Sequence, residues 1–213
     1  MVTNYSDIFN IVAKYYPIGI ENHDPCYNAY YGSTILRQKI EEMLNSEESK
    51  SKWKRLVASM KNDFPDLLYI NINSPLLNVC YSAEFSIKTE ICGNFTHTLK
   101  LCCHLSYLGP YFCMYGKEDI IVDRGVSSVK FDPVIIASPT DYIDVYFKRL
   151  RQTIMQEYFD YQLLPFAWLN KRVKGLTVDT SDLKEYQYSS VFQALFGKEN
   201  ITDYKIIGNE FYK

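Results

Sequence analysis

Residues 78–107 read NVCYSAEFSIKTEICGNFTHTLKLCCHLSY. Apolar and polar residues alternate from residue 79 to residue 91, and the alternation resumes after the pair Gly93-Asn94. A period of two is typical of β-strands with one apolar and one polar face, and a Gly-Asn pair is typical of a tight turn. The segment therefore predicts a long antiparallel β-hairpin.

The alternation assigns the hairpin side chains to two faces. The face predicted to pack against helices carries Val79, Tyr81, Phe85, His97 and Cys103. The face predicted to meet water carries Glu84, Lys88, Glu90, Lys100 and His104. Such strands are typical of an antiparallel sheet with one wet face.

Helical periodicity flanks the hairpin on both sides. Residues 6–16 predict a first helix with Ser6 as N-cap and Pro17 as its end, and further helices are expected between Ser33 and Pro65. Strands are expected at residues 67–72, 111–115, 126–136 and 204–207, one long helix with the strongest helical pattern at about 139–159 and a short one at 189–196. We therefore expect one α+β domain spanning residues 1–213. Its sheet is mostly antiparallel, with the N-terminal helices and the long helix packed on one face.

Bulk composition favours an ordinary globular protein. The 213 residues are 47% hydrophobic and 23% charged, with a formal net charge of −2. This balance lacks the clustered positive charge of a nucleic-acid binder, and no apolar run is long enough for a membrane span. The N-terminus does not resemble a signal peptide, and the six cysteines contain no CxxC pair. These features predict a cytoplasmic protein.

Residues for catalysis are sparse in the sequence. Only three histidines are present, His23, His97 and His104, and we interpret each as structural. Cys103 and His97 would lie about 20 Å apart on one strand, too far for a nucleophile–base pair. Neither metal-ligand spacing nor a glycine-rich phosphate loop is found. We therefore expect no catalytic residues, no metal and no cofactor.

Tyrosine is the unusual component of this sequence, with 19 residues against two tryptophans. A tyrosine combines a large apolar ring with one polar group, which suits protein interfaces as well as sheet packing. The candidate binding residues are the loop tyrosines Tyr27, Tyr30 and Tyr31, together with Glu84, Lys88 and Glu90 on the polar hairpin face.

A second pattern runs from Leu108-Gly109-Pro110-Tyr111-Phe112 through Tyr115-Gly116 and Ser138-Pro139 to Leu164-Pro165-Phe166. Over residues 78–166 it resembles small single-domain proteins of Bacteroidota-type genomes, some of them encoded beside polymorphic toxins as immunity proteins. The resemblance implies a cytoplasmic protein that binds another protein, and it implies no active-site residues.

The sequence thus favours a non-enzymatic protein-binding module, a monomer or homodimer, that neutralises a bacterial toxin by covering its active site. One alternative is a structural or assembly subunit that oligomerises through its sheet. A further alternative is a small-molecule-binding or hydrolytic domain with a pocket between sheet and helices.

Overall fold

The structure is a computed structural model that describes residues 4–20, 23–71, 79–140, 142–178, 188–197, 201 and 203–212. Its helices are α1 (Tyr5–Tyr15), α2 (Pro25–Asn28), α3 (Tyr31–Asn45), α4 (Glu47–Asp63), α5 (Asp144–Glu157), α6 (Phe166–Leu169) and α7 (Val191–Phe196). Its strands are β1 (Leu68–Asn71), β2 (Cys80–Cys92), β3 (Phe95–Ser106), β4 (Tyr111–Asp123), β5 (Ser128–Lys130), β6 (Val134–Ile136), β7 (Gln162–Leu163) and β8 (Lys205–Ile207).

The described strands form one eight-stranded sheet with the path β1-β2-β3-β4-β6-β8, and β5 and β7 also pair with β4. Strands β2, β3 and β4 form an antiparallel meander that runs the length of the sheet. Among the strands that the structure describes, only β7 with β4 and β8 with β6 pair in parallel. The predicted α+β fold with a mostly antiparallel sheet and a long central hairpin is confirmed.

Helices α4 and α5 cover one face of the meander. Trp53 of α4 stacks on Tyr81 of β2 with ring centroids 5.3 Å apart. Ile143, the N-cap residue of α5, packs directly over Gly116 of β4. The apolar stripes of both helices are buried there, as their periodicity predicts. We name this side of the sheet the α4–α5 face.

The opposite side of the sheet, which we name the α7 face, is covered as well. Phe192 of α7 meets the ring of His104 edge-on at 5.2 Å, and Phe166 of α6 meets Tyr115 at 5.9 Å. Tyr16, which follows α1, donates its hydroxyl to the carbonyl oxygen of Ala194. The prediction of one wet face is therefore wrong for this half of the hairpin. Period-two alternation shows only that the two faces differ in polarity, and it cannot show that the polar face lacks a cover.

A β-bulge in β2 divides the hairpin into two halves. Ser86 pairs with Lys100, but Lys88 pairs with Leu99, so Ile87 is an extra residue. Because the side-chain period of a strand is two, one extra residue moves every later side chain to the other face. Glu84 therefore lies on the α7 face, whereas Lys88 and Glu90 lie on the α4–α5 face. Their predicted common face is wrong for this reason.

Element boundaries differ from the sequence prediction at several places. Asn4, and not Ser6, is the N-cap of α1, where its side chain and that of Asp7 form a capping box. Strand β4 continues to Asp123, well past the predicted end at Tyr115. The three consecutive charged residues Lys117, Glu118 and Asp119 interrupt the apolar periodicity, although Lys117 and Asp119 are buried, and they hide this extension from the sequence. The proposed strand residue Ile72 lies outside the described residues.

Gly116 provides a test of the packing between α5 and the sheet. A Cβ atom at this position would lie 2.9 Å from Ile143 Cδ1 and 3.0 Å from Ile136 Cβ. We expect Gly116→Ala to lower the free energy of unfolding by about 1–3 kcal/mol, because the core is already filled. Urea denaturation measures the change. Thr89→Ala, at an exposed site on β2, is the control and should change stability by less than about 0.5 kcal/mol. Equal stability of both variants would contradict close packing here.

Candidate functional site

The α4–α5 face is open beyond the bulge, where the meander extends past its helices. Phe95, Val122 and Val129 are directly opposite one another on β3, β4 and β5, so they share this face. Phe131 continues β5 and donates its backbone N–H to Ile120 O at 3.0 Å. Phe95 is 38% exposed and Phe131 is 51% exposed. We name the surface formed by Phe95, Ile120, Val122, Val129 and Phe131 the meander-end face.

Charged residues border the meander-end face on its inner side. His97 lies with Nδ1 3.7 Å from a Glu90 carboxylate oxygen and with Nε2 4.0 Å from one of Glu118. Lys88 Nζ lies 2.5 Å from the other oxygen of Glu90. The hydrogen bond and charge of Lys88, with a smaller contribution from His97, lower the pKa of Glu90. These four residues form a charged rim that remains accessible to a second molecule.

The loop tyrosines are directed partly inward. Tyr27 donates its hydroxyl to Thr177 O at 2.7 Å, and Tyr30 donates its hydroxyl to Ala13 O at 2.6 Å. Tyr27 lies within α2 and Tyr30 directly precedes α3, so the segment predicted as a loop is partly helical, and the two hydroxyls attach it to neighbouring segments. Tyr31, at the start of α3, is 74% exposed and offers its ring to solvent. Of the three, only Tyr31 lies on an open surface.

The three binding residues predicted on the hairpin, Glu84, Lys88 and Glu90, also lie on different surfaces. Lys88 and Glu90 are exposed and belong to the charged rim of the meander-end face. Glu84 is buried on the opposite face, where it pairs with Lys100 at 3.0 Å and Lys117 at 3.4 Å. The structure therefore brings Lys88 and Glu90 together with His97 and Glu118, and it places Glu84 elsewhere.

A chain of hydrogen bonds on the α7 face was missed by the sequence analysis. Ser82 Oγ lies 2.8 Å from His104 Nδ1, and His104 Nε2 lies 3.1 Å from the Tyr115 hydroxyl. Cys80 Sγ adjoins Ser82 Oγ at 2.9 Å and donates to Phe196 O at 2.8 Å. A neutral imidazole has one donor and one acceptor nitrogen, so two hydroxyls satisfy it completely. The turn at Gly93 alone would set Ser82 opposite Leu105, and the bulge at Ile87 is what brings His104 opposite Ser82, so the sequence carried no local signal for this pair.

A hydroxyl hydrogen-bonded to imidazole is also the geometry of a nucleophile and its base. Here the pair is enclosed, since Ser82 is 1% exposed and His104 is 3% exposed beneath Phe192 and Phe196. A substrate would have to displace α7 to reach Ser82. All six α7 residues are buried, so α7 is held as a core element. We therefore interpret the chain as structural, fixing the position of α7 on the sheet.

A buried group of charges adjoins this chain. Lys100 binds both Glu84 and Asp119, the latter at 2.8 Å, and Lys130 Nζ lies 3.3 Å from Asp119 Oδ1. Burial alone would raise the pKa of Asp119. The Lys100 hydrogen bond and the charges of Lys100, Lys117 and Lys130 outweigh burial, so the pKa of Asp119 falls below its ordinary value. Opposite charges thus compensate one another within the sheet.

The remaining chemistry of the described residues is limited. They contain no group of three or more histidine, cysteine, aspartate or glutamate side chains arranged to hold a metal ion. All six cysteines are free, and burial raises the pKa of Cys103. In the part of the chain that is described, each helix is too short or too polar to cross a bilayer.

Comparison with known proteins adds no relative. No protein-family model, no curated protein and no solved structure matches this chain.

The buried hydrogen-bond chain predicts unequal roles for two histidines. His104→Ala removes a buried ring and leaves the Ser82 and Tyr115 hydroxyls without their partner, so we expect a loss of about 3–5 kcal/mol in unfolding free energy. His97→Ala, on the open rim, should cost less than about 1 kcal/mol. Urea denaturation monitored by circular dichroism compares them. A similar cost for both would show that the chain does not stabilise α7.

Asp119 predicts a pH dependence of stability. Because its pKa is lowered in the folded state, its contribution is complete above the ordinary carboxylate value of about 3.9 and disappears as pH falls through the folded value. Asp119→Asn should therefore lower unfolding free energy by about 1–3 kcal/mol at pH 7. The difference from wild type should shrink as pH falls below about 4. A difference that stays constant from pH 7 to pH 3 would contradict the ion-pair role.

Proposed function

We propose that this chain is a non-enzymatic protein-binding module that acts by covering a surface of another protein. The observation that carries the proposal is the meander-end face, an apolar surface on the three strands β3, β4 and β5 that extends beyond the helices. Its two phenylalanines are exposed, and large aromatic side chains at the centre of an interface supply much of its binding energy. A charged rim beside an apolar centre is also the usual arrangement of such interfaces.

The proposed partner is most concretely a bacterial toxin whose active site the module covers. The sequence resemblance to immunity proteins motivates this form of the proposal, and Glu90 and Glu118 would oppose basic residues around a toxin cleft. Six free cysteines support a reducing compartment, so we propose the cytoplasm as the site of action.

Binding through the meander-end face can be tested with the protein encoded by the adjacent open reading frame of the source genome. Phe131→Asp places a charge on the more exposed of the two phenylalanines of the face, and we expect affinity to fall roughly 30-fold, equivalent to about 2 kcal/mol. Ile121→Asp is the matched control. Ile121 lies on β4, one of the strands of the meander-end face, but its side chain is on the opposite face of the sheet and is 37% exposed.

Calorimetry gives both affinities, and a cell-survival assay shows whether wild type neutralises the toxin. Affinity that falls equally in both variants would contradict the assigned surface. Failure of the wild-type protein to bind or protect would contradict the toxin form of the proposal.

A second candidate function is an assembly subunit that oligomerises through its sheet. The observation in its favour is β1, an edge strand whose Leu68 is 64% exposed and whose Ile70 is 37% exposed. Edge strands present unpaired backbone groups that a second copy can pair with. Sedimentation velocity over a hundredfold concentration range separates the two candidates, since an assembly subunit forms a closed ring or polymer.

A further inference from the structure

His97 joins the charged rim to the meander-end face. It lies directly opposite Ile120 of β4 and two residues from Phe95 on β3, so its ring shares the side of the sheet that carries the apolar side chains. Its Nδ1 lies 3.7 Å from a carboxylate oxygen of Glu90, and its Nε2 lies 4.0 Å from one of Glu118. The imidazole is therefore placed between two carboxylates, one from each strand that pairs with β3.

The two carboxylates differ in their other contacts. Lys88 Nζ lies 2.5 Å from an oxygen of Glu90, and the hydrogen bond and charge of this lysine lower the pKa of Glu90. Among the residues that the structure describes, Glu118 has no lysine or arginine within 4.0 Å. Within that part of the chain, its ion-pair partner is the imidazole of His97 alone. Tyr142, which is 80% exposed before α5, adds a phenol beside Lys88.

The charge of the rim depends on the protonation of its imidazole. Imidazole is the side chain that ordinarily gains or loses a proton between about pH 5 and pH 8. While His97 is neutral, the rim of Lys88, Glu90, His97 and Glu118 carries one net negative charge, and a proton on the imidazole cancels it. A partner that covers the face removes water from the rim, and a charge that loses water without gaining an opposite charge is costly. Glu118 therefore needs a cation, which either the partner or the protonated imidazole provides.

We propose that the meander-end face binds its partner through a basic side chain that replaces the proton of His97 beside Glu118. The inference rests on the proposed function, to which it adds the chemistry of the partner and its regulation by pH. Arginine suits this position better than lysine. Its planar guanidinium can donate two hydrogen bonds to one carboxylate and can also lie flat on a neighbouring aromatic ring such as Phe95.

The direction of the pH dependence identifies the charge of the partner. A basic side chain competes with the proton of His97, so affinity falls as pH falls, by up to about tenfold per pH unit for one released proton. An acidic side chain would instead be attracted by the protonated imidazole, and its affinity would rise as pH falls. Carboxyl groups titrate mainly below pH 5.5, because their ordinary pKa is about 4 and that of Glu90 is lowered further.

Display selection provides a probe for this face without the natural partner. A library of random dodecapeptides is selected at pH 8 on the full chain and depleted on Phe131→Asp, so that the retained peptides require the meander-end face. We expect these peptides to combine apolar residues with arginine or lysine. The best sequence is synthesised without histidine and with an acetylated N-terminus, so that the peptide itself does not titrate between pH 5.5 and pH 8.

Calorimetry measures the affinity of this peptide at both pH values. For the wild type we expect a loss of about tenfold from pH 8 to pH 5.5, with release of up to about one proton on binding near pH 6. His97→Gln keeps a polar side chain that does not titrate, so it should bind equally at both pH values. Glu118→Gln should lose about fivefold in affinity at pH 8, together with most of the pH dependence.

His23→Gln is the matched control for the loss of a histidine. His23 is exposed and directly precedes Asp24, the N-cap residue of α2, so this variant should keep the pH dependence of the wild type. Circular dichroism confirms that each variant is folded.

Three results would overturn the inference. They are a selection that yields no peptide dependent on Phe131, an affinity that stays constant or rises as pH falls, and a His97→Gln protein that keeps the pH dependence of the wild type. The proposed function is tested with the natural partner and can fail separately. A peptide that shows the expected pH dependence, while the product of the adjacent gene does not bind, would contradict the toxin form alone.

Discussion

The pairing of β3 with both of its neighbours is the constraint on which the rest of the structure depends. β3 is hydrogen-bonded to β2 on one side and to β4 on the other for almost its entire length. These two ladders fix which side chains share a face, and through them the positions of α4, α5 and α7. Trp53 packs on Tyr81, and Phe192 packs on His104. Both contacts form because the register places Tyr81 and His104 on opposite faces of the sheet. Every surface described above follows from this register.

The sequence allowed the hairpin to be predicted because alternation and a Gly-Asn turn are both local signals. It did not allow the cover of the polar face to be predicted. Cys80, Ser82 and His104 are polar residues whose groups satisfy one another only after β2 and β3 have paired. A polar residue with a partner is buried at little cost, and the identity of that partner is a property of the register. The bulge at Ile87 was also invisible, since a single inserted apolar residue does not interrupt the apparent alternation.

The role of each tyrosine also depends on packing, which the composition of the sequence does not show. Tyr16, Tyr27, Tyr30 and Tyr161 donate their hydroxyls to backbone carbonyl groups of distant segments. These contacts attach loops and helices to distant parts of the chain. These four tyrosines therefore have an architectural role, and the exposed aromatic residues of the meander end are phenylalanines. Composition pointed to aromatic anchors, but sequence alone could not distinguish a ring that holds a loop from a ring that faces solvent.

The bulge at Ile87 has a consequence for how this protein can change over evolution. It changes the alternation of side chains between the core half and the open half of the meander. Two side chains of β2 that are six residues apart, one on each side of the bulge, therefore lie on different faces of the sheet. Substitutions at the open end are thereby separated from the packing of α4, α5 and α7, and that end can diversify while the core stays the same. Loss of the single extra residue would make Lys88 follow Ser86 directly, and the pairs Ser86–Lys100 and Lys88–Leu99 would then continue one regular ladder. One codon deletion would thus remove the bulge and leave the surface chemistry of this strand on the same faces.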